Sequence, residues 1–195
     1  MKASSGAQPF FRRSEGSLVY RPCPELKRTC LFLLRSLLLT LLVVATSFAR
    51  DDWVIREDGV GPVKVGMTLA QLSAALHQEL AADERGEQGC FYINARGHDS
   101  VSFMIIDGHV ARVEVGAPGV KTSTGIQVGD SEAQVQKVYG AKLKMTEHTY
   151  IDTGHYLTVR SADGRYGVRF ETDKGKITMF YAGKYDAIQY VEGCE

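Results

Sequence analysis

Two stretches of the chain, VKVGMTLAQL at residues 63–72 and IQVGDSEAQV at residues 126–135, read alike and decide the expected fold. They align without a gap, and four of their ten positions are identical. Chance can produce four identities, but both stretches also repeat the local pattern G-x-(S/T)-x-x-Q. We therefore predict that the chain contains an internal duplication.

The repeated pattern is typical of a helix start. In a capping box, a hydroxyl accepts a hydrogen bond from the third backbone N–H, and a side chain at that third position returns to the cap. Thr68 with Gln71, and Ser131 with Gln134, both have this spacing. Each unit is therefore expected to begin with a helix, one over residues 69–80 with leucines at helical spacing, the other over residues 132–139.

Strand patterns follow each helix. After the first come CFYIN, SVSFMIID and VARVEVG, and after the second come AKLKMTEH, HYLTVRSA, RYGVRFET and KITMFYAG, with AIQYVEG as a further extended stretch. Asp107-Gly108, Asp163-Gly164 and Asp173-Lys174-Gly175 mark tight turns between them.

The pattern predicts an α+β fold, made of two tandem helix-plus-antiparallel-meander repeats that share one core. Repeat one covers about residues 60–120 and repeat two about residues 121–195. A short helix with a few strands buries too little apolar surface to be stable alone, so the units should pack together. The helices are expected on one face of the sheet, with the other face open to solvent.

The segment before this domain has the features of an export signal. Basic residues precede a short apolar run near residues 37–45, and Ser47 and Ala49 supply the small residues of a cleavage site. Residues 1–49 are therefore interpreted as an N-terminal extension and signal peptide, and residues 50–195 as the exported domain, periplasmic or secreted. The alternative is an uncleaved membrane anchor; after cleavage no stable membrane span is expected.

Charge and cysteines fit an exported domain. Residues 1–49 contain seven basic and two acidic residues, so the remainder contains 16 and 21, a net charge of −5 that offers no basic footprint for nucleic acid. Cys90 and Cys194 are the cysteines that remain, and two cysteines in an exported chain predict one disulfide. Two unpaired thiols are the alternative.

The repeat start, carried by Gly66, Met67, Thr68 and Leu72 and echoed by Gly129 and Val135, resembles that of β-lactamase-inhibitor-like proteins and small outer-membrane assembly lipoproteins. The resemblance covers about 20 residues per repeat. It implies a non-catalytic protein-binding module of the inhibitor or envelope-assembly type. The chain departs from it by having no lipobox and by having a cysteine pair that joins the two repeats.

Catalytic motifs give little support to an enzyme. Neither G-x-S-x-G nor a P-loop occurs, and we predict no catalytic residue and no cofactor. Asp152-Thr153-Gly154 matches the aspartic-protease tripeptide, but Asp and Gly are also turn residues, and a turn is the favoured interpretation. His148, Asp152 and His155 form the alternative hypothesis of a small metal-binding protein or metal-dependent enzyme.

A protein partner is the leading functional hypothesis. Alternation along the strands places aromatic and guanidinium groups on the open sheet face, a composition found at protein interfaces. The predicted binding residues are Arg112, Tyr156, Arg160, Arg169 and Phe180. An ordinary solvated face is the alternative, and a small ligand between the repeats is a third possibility without residues assigned to it.

Overall fold

The computed structural model describes residues 53–80 and 89–194. Within these ranges the chain contains 11 strands and two α-helices. The predicted signal segment and its cleavage site lie outside the described residues, so export stays a prediction. Neither described helix has the length and hydropathy needed to cross a membrane.

Most strands belong to one seven-stranded antiparallel sheet. Its order is β4-β5-β6-β11-β10-β9-β8, so two meanders meet where β6 pairs with β11. The strands are β4 Cys90–Asn94, β5 Val101–Ile106, β6 His109–Val115, β8 Leu143–Glu147, β9 His155–Arg160, β10 Tyr166–Asp173 and β11 Lys176–Lys184.

A second, smaller sheet is built from very short strands. Its order is β3-β2-β1-β7, with β1 and β7 parallel and the other pairs antiparallel. The strands are β1 Val54–Arg56, β2 Gly59–Val60, β3 Val63–Lys64 and β7 Lys121–Thr122. Strands of two or three residues are too short to show a period, which is why the sequence gives no sign of this sheet.

Both predicted capping boxes are present. Helix α1, Leu69–Leu76, begins at Thr68, and helix α2, Glu132–Tyr139, begins at Ser131, each with reciprocal bonds to the glutamine at the third position. The glycines two residues before the caps both have φ of +93°, a conformation that favours glycine. The first helix is one turn shorter than predicted, because the backbone of His77 is left-handed and ends it.

The duplication extends to the hydrogen bonds that attach each helix start to the sheet. In both units the glycine two residues before the cap donates a backbone hydrogen bond to the second residue of a strand that follows a hairpin turn. The residue after that glycine accepts a backbone hydrogen bond from the same strand residue. The four bonds are Gly66 N to Val110 O (2.8 Å), Val110 N to Met67 O (2.9 Å), Gly129 N to Ile177 O (2.9 Å) and Ile177 N to Asp130 O (2.9 Å). The sequence repeat therefore encodes a repeated local junction.

The predicted fold class is nevertheless wrong. The chain is mostly β, with two sheets, and it is not a pair of helix-plus-meander units with helices on one face. Helices of eight residues are too short to form a layer of their own. Instead, Ile55, Val60 and Val63 of the small sheet join Leu72 of α1 and Val135 of α2 in the core cluster, against the seven-stranded sheet.

The opposite face of the seven-stranded sheet, here called the outer face, is not open. The C-terminal segment, residues 185–194, lies across it and contains a short 3₁₀ turn, Ala187–Gln189, where an extended stretch was predicted. Ile188 is fully buried there, and Gly167 makes room for it: a Cβ at position 167 would lie 2.7 Å from Ile188 Cδ1. The predicted Cys90–Cys194 disulfide is confirmed and attaches the end of this segment to β4.

Candidate functional site

Arg112 connects the outer face to the C-terminal segment. Its Nε and Nη2 lie 2.7 and 2.6 Å from Glu114 Oε1, and its Nη1 donates to the carbonyls of Ala187 (2.8 Å) and Tyr190 (2.9 Å). The guanidinium also lies 4.2 Å from the centre of the Tyr181 ring. Burial alone would lower the pKa of Arg112, but the Glu114 carboxylate outweighs it and the pKa is raised, so the group stays charged.

A cleft of about 540 Å³ opens beside this arginine, between the sheet and the C-terminal segment. We call it the outer-face cleft. Its residues come from four strands, from the β8–β9 loop and from the C-terminal segment: Tyr92, Arg112, Glu114, Tyr150, Glu171, Met179, Tyr181, Val191, Glu192 and Gly193. The lining contains three carboxylates and one guanidinium, and Arg169 on the same face adds a second positive charge that acts on Tyr181.

Hydrogen bonds fix the carboxylates of the cleft. Tyr181 donates to Glu171 Oε1 (2.9 Å), and Tyr92 donates to Glu114 Oε1 (2.8 Å). Burial, with the adjacent Glu114 carboxylate as the next cause, raises the pKa of Tyr92 to about 12. Burial and Glu171 likewise raise the pKa of Tyr181. Both tyrosines therefore remain protonated donors.

His148 supports Glu171 from the other side. Its Nδ1 accepts from the backbone N–H of Tyr150 (3.1 Å), which leaves Nε2 as the donor toward Glu171 Oε2 at 3.3 Å. The ring stacks on Tyr156 with centroids 4.4 Å apart. This histidine therefore positions a carboxylate of the cleft.

The structure separates the residues of the predicted metal site. The His155 side chain hydrogen-bonds Glu132 of α2 at 2.8 Å. His148 instead stacks on Tyr156, whose side chain lies on the outer face. Asp152 lies in the turn between β8 and β9, as the turn interpretation of Asp152-Thr153-Gly154 predicts. Within residues 53–80 and 89–194, no group of three or more His, Cys, Asp or Glu side chains could hold a metal ion.

Four of the five predicted binding residues are buried, against expectation. Arg112, Tyr156 and Arg169 do lie on the outer face, but the C-terminal segment and neighbouring side chains cover them. Only Arg160 is exposed, and its guanidinium lies 4.0 Å from the centre of the Tyr185 ring. Arg112 and Arg169 hold the chain's own C-terminal segment, and Arg160 contacts Tyr185 at the start of that segment.

Phe180 was predicted to face outward, and that direction is wrong. The pairing of β10 with β11 shifts register after Glu171, so that Thr172 pairs with Ile177 while Glu171 pairs with Met179. The extra residue, Thr178, reverses the alternation beyond it. Phe180 therefore enters the core, and Met179 lies on the outer face, in the cleft.

Exposed apolar side chains surround the outer-face cleft. Tyr150 and Val191 line it, and Tyr190 lies beside Val191 in the adjoining depression next to the disulfide. All three belong to the large apolar residues that remain exposed in the described part of the chain. Sequence reasoning missed them because Tyr190 and Val191 were assigned to a strand and Tyr150 to a turn.

The ion pair between His155 and Glu132 predicts a pH-dependent contribution to stability. The bond to Glu132 raises the pKa of His155. Burial alone would raise the pKa of Glu132, but its bonds from Thr172 (2.5 Å) and His155 outweigh burial and lower it. Because the pKa of His155 is higher in the folded than in the unfolded state, protonation of His155 stabilises the folded protein. This stabilisation is complete below the unfolded histidine pKa of about 6.5 and is lost as pH rises through the folded pKa.

We therefore expect the stability difference between wild type and His155→Gln to be largest between about pH 4.5 and 6.5 and to shrink above that range. Below it, protonation of Glu132 removes the same contribution. Urea unfolding at several pH values measures the difference, and His155→Gln/Glu132→Gln should show no such dependence. A difference that grows with pH would contradict this assignment.

Comparison with protein families, with curated proteins and with solved structures finds no match to this chain. The site itself consists of a disulfide-attached C-terminal segment, a cleft beneath it that is lined by tyrosines and carboxylates, and an exposed apolar rim.

Proposed function

We propose that the domain is a non-catalytic protein-binding module whose partner docks on the rim of the outer-face cleft. The observation that carries the proposal is the rim itself. Tyr150, Tyr190 and Val191 are exposed around a cleft of tyrosines and carboxylates, and tyrosines are frequent anchors of protein interfaces. The sequence resemblance to inhibitor-like and envelope-assembly proteins supports the same class.

The charge of the cleft specifies the kind of partner. Glu114 is neutralised by Arg112, whereas in the described part of the chain Glu171 accepts from Tyr181 and His148, and Glu192 accepts from Tyr150. A lysine or arginine of the partner would complete this arrangement, and the tyrosine rings favour a cation by their electrostatics. We infer a partner that inserts a basic side chain and covers the apolar rim.

The outer face already binds one polypeptide, its own C-terminal segment. Arg112 donates to two backbone carbonyls of that segment, and Arg169 binds the side chain of Gln189. These contacts leave the rim residues of the segment ordered before any partner arrives, which lowers the entropy cost of docking. The proposed site is therefore composite, with the sheet below and the C-terminal segment at its edge.

Export and compartment belong to this proposal. A disulfide persists in oxidising compartments, and Cys90–Cys194 supports a periplasmic or secreted domain. The partner is then expected in that compartment.

Photo-crosslinking with matched positions tests the docking surface. A photoreactive residue at Val191 should give a discrete adduct in cells producing the full chain, whereas one at Val138 should not. Val138 is the matched control because it is 44% exposed, against 38% for Val191, but lies on α2. Equal adducts from both positions, or none from Val191, would contradict the proposal.

A further inference from the structure

A second cleft, of about 650 Å³, lies between the small sheet and the β9–β10 hairpin. We call it the side cleft. Two core residues, Ile55 and Val168, contribute apolar surface, and Tyr139 of α2 lies beside them. The remaining walls are the β1–β2 turn, the loop that follows β7 and the hairpin residues 161–166. None of its residues belongs to the outer-face cleft.

Three hydroxyl groups form a hydrogen-bonded chain in the wall of this cleft. Thr122 Oγ1 lies 3.0 Å from Thr124 Oγ1, which lies 2.8 Å from Tyr139 OH. The buried end of the chain is fixed, because Thr122 Oγ1 accepts from the backbone N–H of Ile126 at 3.0 Å. Thr122 can therefore direct its own proton toward Thr124.

The hydroxyl chain can be redirected toward a ligand. Thr122 also interacts with Tyr139, so the three hydroxyls can bond one another, and the exposed Thr124 is the member that a ligand can reach. Because either atom of each pair can donate, Thr124 or Tyr139 can donate to or accept from a bound group. Burial raises the pKa of Tyr139, which keeps its phenol protonated. The wall thus offers both a donor and acceptors to one bound group.

The charges around the side cleft nearly cancel. Arg56 and Arg165 face three carboxylates, and two of these are already paired: Asp163 with Arg165 at 2.6 Å and Asp58 with Lys64 at 3.1 Å. A cleft with this balance gives no net attraction to a strongly charged ligand. Tyr139 and Tyr166 add aromatic surface to the polar wall.

We propose that the side cleft binds a neutral saccharide. Sugar hydroxyls donate and accept at the same oxygen, which matches a wall of reorientable hydroxyls, and the C–H face of a pyranose packs on tyrosine rings. The proposal is independent of partner docking on the outer face. It rests on the hydroxyl chain and on the nearly cancelling charges.

Titration by amide NMR tests this site with defined probes. Maltose, cellobiose and N,N′-diacetylchitobiose are added to the ¹⁵N-labelled protein, with glucuronate and glucosamine as charged comparisons. At least one neutral probe should saturably shift the amides of residues 122–124 and 161–166, and the charged probes should bind more weakly. The proposal would be overturned if no neutral probe gave a saturable shift at concentrations up to about 50 mM. That concentration is far above the Kd expected from a few net hydrogen bonds.

Matched variants locate the binding in the hydroxyl chain. Tyr139→Phe and Thr124→Val each remove one link while keeping the shape of the wall, and either should raise the Kd of the bound neutral probe about fivefold. Thr178→Val, which removes an exposed hydroxyl on β11, is the control and should leave the Kd unchanged. If all three variants bound the neutral probe with the same Kd, the saccharide assignment would be contradicted. It would also be contradicted if glucuronate bound more tightly than the neutral probes.

Discussion

Replacing Arg112 with methionine should lower the free energy of unfolding by about 3–5 kcal/mol. Methionine fills similar space, so the loss comes from unpaired partners. Glu114, which is largely buried, would be left with Tyr92 as its donor, and the carbonyls of Ala187 and Tyr190 would lose their donor. Urea unfolding of the oxidised protein measures the change.

Arg165→Met is the matched control. Arg165 also makes a 2.6 Å ion pair, with Asp163, but its side chain is 72% exposed, against 3% for Arg112. Exposed pairs contribute little, so this variant should lose far less stability than Arg112→Met. Adding Glu114→Gln to Arg112→Met should recover part of the loss, since no buried charge then remains unpaired. If Arg112→Met costs no more than Arg165→Met, Arg112 does not hold the C-terminal segment.

Replacing Cys194 with serine should lower the free energy of unfolding by about 4–5 kcal/mol in the loop-entropy estimate. The two cysteines are 104 residues apart, so the bridge restricts most of the unfolded domain. The variant should also contain one more titratable thiol than the wild type, at Cys90. Urea unfolding and thiol titration under denaturing conditions measure the two effects.

The wild type under reducing conditions and the Cys90→Ser/Cys194→Ser variant should lose the same free energy as Cys194→Ser. Agreement among the three would assign the loss to the bridge itself rather than to a side chain. A loss below about 1 kcal/mol would mean that contacts such as Ile188 with Gly167 hold the C-terminal segment without the bridge.

Local features of this chain could be predicted from the sequence because each depends on a few adjacent residues. Both capping boxes are present at Thr68 and Ser131, and the Asp107-Gly108 turn has positive φ at both residues. The disulfide also followed from counting cysteines, since residues 50–195, the predicted exported domain, contain only Cys90 and Cys194.

The architecture could not be predicted in the same way. The small sheet forms through pairings such as β1 with β7, which are distant in sequence and involve only two residue pairs. No hydrophobic period exists in strands of that length. The prediction therefore assigned the second core layer to helices, and the structure shares it between helices and the small sheet.

One extra residue decided the orientation of β11. Ile177, Met179, Phe180 and Ala182 are all apolar, so the sequence fits two alternations equally well. The register shift between Glu171 and Thr172 of β10 decides between them. Beyond Thr178 it turns Phe180 and Ala182 inward and Met179 outward. A bulge is a property of a strand pair, and a single strand pattern does not contain it.

The candidate site was missed for a related reason. The outward direction of Arg112 and Arg169 was predictable from alternation. Their burial depends on the C-terminal segment, which lies 70 or more residues away from Arg112. It also depends on Gly167, which makes room for Ile188. Coverage of one face by the chain terminus leaves no periodic signal. The exposed residues then come from the covering segment and not from the sheet.

Charge reversal in the outer-face cleft tests the central claim most directly. A photoreactive residue at Tyr150 is combined with Glu192→Lys, and separately with Glu57→Lys, which reverses a carboxylate in the side cleft. The proposed docking of a basic side chain predicts that Glu192→Lys abolishes the adduct and that Glu57→Lys leaves it intact. An adduct that survives Glu192→Lys unchanged would contradict the account.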